Sequence, residues 1–71
     1  MKTLGIRLKE LRVERGLYQS DIAEFLSVSL RQVQRYEKDE SEMSLSTAIS
    51  LAEFFNVSID YLTGRSDQRN C

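Results

Sequence analysis

Residues 28–42 read VSLRQVQRYEKDESE, and the two halves of this stretch suggest opposite chemistry. Arg31, Gln32, Gln34 and Arg35 fall within five positions. A guanidinium carries two parallel N–H donors that match the O6 and N7 acceptors of guanine. A primary amide carries one donor and one acceptor that match N6 and N7 of adenine. Set on one helix face, the four side chains could read base edges or hold phosphates. Asp39, Glu40 and Glu42 follow at once, and carboxylates pointing the same way would repel a polyanion.

The rest of the chain offers little competing chemistry. It has 71 residues, no histidine and one cysteine, Cys71. That excludes histidine-based acid–base or nucleophilic catalysis and leaves no ligand set for a structural zinc. No paired carboxylates with a plausible cleft, no phosphate-cradling loop and no metal cluster stand out. The reading is therefore not an enzyme, with no cofactor and no metal. A lone cysteine cannot form an internal disulfide, and at a chain end it reads as an inert thiol. No apolar run approaches the roughly 20 residues needed to cross a bilayer, and the N-terminus is broken by charges. The expectation is a cytoplasmic protein with no membrane partner.

Net charge is −1, but it is unevenly placed. Residues 1–38 carry a balance of +3 and residues 39–71 a balance of −4. Binding of a polyanion depends on the field at one face, not on the total.

Five short helices are predicted to position these groups. Leu4, Leu8 and Leu11 recur at helical spacing after Thr3, a possible N-cap, with Gly16 supplying the stop. Ile6 and Val13 lie opposite that stripe and should be exposed. Ile22, Ala23 and Leu26 form a second stripe over 18–26. Ser29 can cap a third helix with Leu30, Val33 and Tyr36 inward. Ser44 caps a fourth, marked by Leu45, Ala48, Ile49, Ala52 and Phe55 and stopped at Asn56. Ser58 caps a short fifth ending at Gly64. Residues 65–71 have no evident surface to pack on and read as a flexible tail, leaving 1–64 as the domain. Strand-like alternation is absent, so the fold class is all-α, a compact bundle of five short helices. With only about two residues between the second and third helices, the pair must cross steeply in helix-turn-helix geometry.

QSDIAEFLSVSLRQVQRYE, residues 19–37, resembles the helix-turn-helix of the Cro/cI-type repressors, the XRE family. Gln19 matches the family's glutamine at the start of its second helix. Ala23 matches its small contact residue, and Ile22, Leu26, Val28 and Val33 match its apolar positions. LKELRVERGL and LAEFFNVSIDYLTG resemble the first and the last two helices, so the likeness runs from about residue 4 to 64. It implies a lambda repressor-like DNA-binding domain. Leu30, Arg31, Gln32, Gln34 and Arg35 would then read bases, with Leu30 either touching a thymine methyl or closing the core edge. Gln19, Ser29 and Lys38 would contact phosphates. Arg12 and Glu37 would form a structural ion pair.

Two departures are mild. Tyr18 stands where the family usually caps its second helix with Thr or Ser, and Ser27 stands at the usual turn glycine. The acidic run is the larger departure, because the family often has a glycine and basic residues there. Specific binding would rest on the third helix, and non-specific binding should be poor. The resemblance further implies double-stranded operator DNA as partner, a homodimer on a palindrome, and a repressor of phage or mobile-element type. No small-molecule ligand is expected within this chain. Phe54, Val57, Ile59, Tyr61 and Leu62 are the candidate dimer face. The alternative is a protein-interaction module of the same fold, antitoxin-like or regulator-binding, with weak DNA affinity.

Overall fold

The computed structural model describes residues 3–69, and Cys71 lies outside them. The described elements are α1 (Leu4–Glu14), α2 (Gln19–Leu26), α3 (Leu30–Glu37), α4 (Leu45–Phe55) and α5 (Ile59–Leu62). No strand occurs among the described residues.

Four of the five starts follow one rule. Thr3, Ser29, Ser44 and Ser58 each accept the backbone N–H three residues on, satisfying a donor the helix cannot. Tyr18 makes no side-chain cap bond. There the reciprocal half operates instead, with the Tyr18 N–H donating to Asp21 Oδ2 at 2.7 Å.

All five ends also follow one rule. Each helix is closed by a residue with positive φ: Gly16 (68°), Ser27 (58°), Asp39 (57°), Asn56 (55°) and Gly64 (85°). At each, two successive N–H groups fold back on the last carbonyls. After α3, for example, Asp39 N bonds Tyr36 O at 3.1 Å and Glu40 N bonds Arg35 O at 2.9 Å. Ser27 and Asp39 hold this geometry without being glycine, which costs an ordinary residue about 1–2 kcal/mol. The Ser27 side chain makes no compensating bond among the described residues, whereas Asp39 does. Opposite signs are therefore expected in urea titrations. Ser27→Gly should stabilise by about 0.5–1 kcal/mol, and Asp39→Gly should destabilise by about 1 kcal/mol.

The core draws on every helix: Leu8 and Leu11, Ile22 and Ala23, Val33 and Tyr36, then Ala48, Leu51, Ala52 and Phe55, then Tyr61 and Leu62. Ile6 and Val13 are exposed. Three expectations need correction. Leu45 and Ile49 stand in solvent while Leu51 is fully buried, because the inward stripe of α4 runs through 48, 51, 52 and 55 at i, i+3, i+4, i+7. Leu30 is exposed at the start of α3, whose buried side is Val33, Tyr36 and Glu37.

The third concerns the segment after α5, which does find partners. Arg7, only 4% exposed, lies 3.9 Å over the Tyr61 ring and donates to Asp67 Oδ1 at 2.6 Å. Arg69 forks onto both oxygens of Glu14 at 2.7 Å. That hydrogen bonding holds the Glu14 carboxyl below its ordinary value. The Arg69–Glu14 pair is exposed and adds little stability by itself. The sequence hid this strap because its anchor, Arg7, is a charged residue inside the apolar stripe of α1.

Candidate nucleic-acid interface

α2 and α3 pack directly on each other across Ser27, Val28 and Ser29. With Val33 and Tyr36 turned inward, the outer arc of α3 presents Arg31, Gln34 and Arg35, and Lys38 follows at its end. These four side chains and Glu40 line one shallow groove of about 490 Å³. Among the described residues no hydrogen bond or ion pair engages the side chains of Arg31, Gln34, Arg35 or Lys38. Three cations are thus held at one face with their donors uncommitted, which is the requirement for contacts to phosphates or base edges.

The other expected base readers, Gln32 and Leu30, and the expected phosphate contacts Ser29 and Gln19 divide. Gln32 does not line this groove; its Nε2 donates to Ser41 Oγ at 3.0 Å and pins the loop after α3. Leu30 stands 46% exposed at the N-terminal end of the helix, free to touch an apolar group. Ser29 is exposed, and its oxygen already accepts the Gln32 N–H at 3.1 Å, leaving the hydroxyl proton to donate. Gln19 is half-buried and donates from Nε2 to Glu37 Oε1 at 2.9 Å, with a second amide hydrogen remaining.

That contact belongs to the network that fixes α3. Arg12 Nε donates to Glu37 Oε2 at 2.6 Å, and Arg12 Nη2 reaches Glu37 Oε1 at 3.3 Å. Arg12 Nη1 also donates to the Leu17 carbonyl at 2.8 Å. Three elements meet at one buried carboxylate: α1 through Arg12, α2 through Gln19 and α3 through Glu37 itself. This is the pairing the family resemblance implies, with the glutamine added.

The acidic run does not act as a unit. Asp39 turns away from the groove onto the start of α1, where it accepts from Thr3 Oγ1 at 2.6 Å and from the Gly5 N–H at 3.0 Å. Its charge lies at a helix N-terminus, where the backbone dipoles favour an anion. Gly5 allows the approach, since a Cβ there would lie 2.5 Å from the Tyr36 carbonyl oxygen. Glu42 lines a separate cleft with Leu4, Tyr36 and Met43. Sequence reasoning missed Asp39's role because its partners lie more than 30 residues away.

The candidate dimer face also shrinks. Tyr61 and Leu62 are core residues, and Val57 and Ile59 pack against the core. Phe54 remains exposed and stacks on Phe25, with ring centroids 4.5 Å apart. Phe25 had no place in the sequence reading; it lies in a helix whose other apolar residues face inward.

The turn between α2 and α3, the buried network behind it and the bare cationic face in front define a helix-turn-helix domain. The chain belongs to the helix-turn-helix family of Cro/cI (XRE) type, whose family profile matches residues 8–62. It is 37% identical over 65 residues to the HTH-type transcriptional regulator ImmR of Bacillus subtilis, covering 92% of this chain and 51% of the relative. It is 48% identical over 52 residues to a putative HTH-type transcriptional regulatory protein of Pyrococcus furiosus, covering 73% of this chain and 16% of the relative. The chain thus spans about half the length of the first and far less of the second.

Among solved structures, a transcriptional regulator from Listeria innocua superposes with TM-score 0.84 at 37% identity, over 87% of this chain and 58% of that one. The P22 c2 repressor, solved in complex with a synthetic operator, shares the fold with TM-score 0.82 at 21% identity, over 93% of this chain and all of that one. No described helix is long and apolar enough to cross a membrane. The described residues hold no group of three or more acidic, histidine or cysteine side chains suited to a metal.

Proposed function

We propose that this chain is a sequence-specific double-stranded DNA-binding regulator of transcription. It acts as a repressor that occupies a palindromic operator as a dimer, in a bacterial or phage-infected cytoplasm. The observation that carries the reading is the groove on α3, where Arg31, Arg35 and Lys38 stand unpaired among the described residues beside Gln34. A helix presented this way fits the major groove of B-DNA, about 12 Å wide. Arg31, Gln34 and Arg35 are the base readers, with Leu30 offered to a thymine methyl. Lys38, Ser29 and the second amide hydrogen of Gln19 are the phosphate contacts. The names of the Bacillus and Listeria relatives support the regulatory role. The dimer is supported by analogy with operator-binding proteins of the family, whose half-sites lie about one helical turn apart.

The test is selection of bound duplexes from a random pool at low salt, followed by titration of the recovered site. An inverted repeat is expected. Arg31→Ala and Arg35→Ala should each weaken it by about 1–3 kcal/mol, roughly 5- to 150-fold, with unchanged helical content. Unchanged affinity in both variants would remove α3 from the interface.

A protein-interaction module of the same fold is the second reading. It is favoured by the exposed Phe25–Phe54 pair, which lies on two helices that carry no Lys or Arg. Salt separates the two. Affinity for DNA falls steeply with rising salt, with a slope set by the phosphates neutralised, whereas burial of an aromatic pair is nearly salt-indifferent.

A further inference from the structure

We propose that Glu40 alone, of the three carboxylates after α3, opposes the phosphates of bound DNA and sets the protein's affinity for duplex. The inference rests on the DNA-binding reading and assigns to one side chain the weakness of backbone binding that the acidic run suggests.

Each carboxylate has a different position. Asp39 is consumed by Thr3 and Gly5 at the start of α1. Glu42 lines the cleft beside Leu4 and Met43 and has no place on the α3 groove. Glu40 borders both depressions, and it is the only acidic residue among Arg31, Gln34, Arg35 and Lys38. It is exposed, and no partner neutralises it among the described residues.

Its backbone cannot drift away. The Glu40 N–H closes α3 on the Arg35 carbonyl at 2.9 Å, and the preceding left-handed residue, Asp39, is clamped to α1. Farther along, Gln32 holds Ser41 at 3.0 Å. Residue 40 is therefore held at the C-terminal end of α3, beside the cations a phosphate would approach. The groove offers DNA three positive charges and one negative. The Glu40 charge lowers the positive field that these guanidinium and ammonium groups present to a phosphate. Its removal should admit about one further phosphate.

The experiment measures binding of a random-sequence duplex to wild type, Glu40→Gln and Glu42→Gln from 0.05 to 1 M salt. Each variant removes one negative charge from an exposed position, and matching thermal melts confirm equal folding. One more phosphate neutralised adds about 0.9 to the slope of log K against log salt, which is roughly an eightfold gain at 0.1 M that vanishes near 1 M. Glu40→Gln should show that gain and that steeper slope, and Glu42→Gln should stay within about twofold of wild type. Equal gains in both variants would overturn the proposal in favour of net charge alone. A salt-dependent wild type with an unchanged Glu40→Gln would overturn it as well, leaving DNA binding intact. Failure of all three folded proteins to bind any duplex at low salt would instead overturn the DNA-binding reading, and this inference with it.

Discussion

Replacing Arg12 by alanine should lower the free energy of unfolding by about 3–5 kcal/mol, the usual cost of removing one partner from a buried ion pair. The Glu37 side chain is 3% exposed and holds its charge through Arg12 Nε at 2.6 Å, Arg12 Nη2 at 3.3 Å and Gln19 Nε2 at 2.9 Å. Without the guanidinium, a carboxylate in a nearly dry site keeps one neutral donor. The Leu17 carbonyl loses its donor too. At roughly 0.05–0.15 kcal/mol per residue, a domain of this size has a net stability of about 4–11 kcal/mol, so the loss removes a large share of it.

The intact pair need not stabilise the fold much, since desolvation of two ions offsets most of their attraction. Arg12→Met combined with Glu37→Leu should accordingly recover much of the loss. The pair's role is positional, because it fixes α3, and with it the cationic groove, against α1 and α2. Urea denaturation of both variants measures this directly. A single Arg12→Ala variant within about 1 kcal/mol of wild type would mean that Glu37 finds water or another donor, and the network would lose its place in the argument.

Local features of the sequence were legible where local physics decides them. Ser29, Ser44 and Ser58 cap their helices because a hydroxyl at that position satisfies an orphan N–H whatever the tertiary context. Gly16 and Asn56 end theirs for an equally local reason. The stripes of α1 and α2 were legible from their period, and α5 from its cap and stop alone. α4 was legible in part: Ala48, Ala52 and Phe55 face inward as expected, but Leu45, Ile49, Leu51 and Phe54 all compete for the remaining place, and only packing against the other helices selects Leu51.

The site was legible in part for the same reason. Val33 and Tyr36 inward place Arg31, Gln34 and Arg35 outward by geometry alone. What escaped were polar contacts made between elements: Gln32 turning to Ser41, Asp39 to Gly5, Gln19 to Glu37 and Arg7 to Asp67, while the Arg12–Glu37 pair was expected only through the family resemblance. Polar side chains of these types have many possible partners, and nothing in their neighbours along the chain selects among them.

Gly5→Ala sets two of these effects against each other. Helix propensity alone favours alanine by about 1 kcal/mol, since glycine loses more backbone freedom on folding. Packing opposes it more strongly. A Cβ on Gly5 would lie 2.5 Å from the Tyr36 carbonyl oxygen and 2.8 Å from Cγ and Oδ2 of Asp39. The carbonyl is backbone and is already held by the Asp39 N–H at 3.1 Å, so it cannot yield as a flexible side chain would. Relief requires α1 to lift from the end of α3. That movement breaks the bonds from Thr3 and Gly5 to Asp39 and leaves its carboxylate in a left-handed turn without compensation.

Overpacking costs about 1–3 kcal/mol and each lost hydrogen bond about 1 kcal/mol, so a net loss of about 2–4 kcal/mol is expected despite the propensity gain. Gly16→Ala is the useful contrast. It is strained by its φ of 68° but meets nothing within 4 Å, so it should cost only about 1 kcal/mol. The order of the two losses in urea titrations is the measurement. If Gly5→Ala proves as stable as wild type, α1 does not rest on α3 as closely as Asp39 requires. Asp39 would then be free to join Glu40 at the α3 groove, and the division of labour among the acidic residues would fail with it.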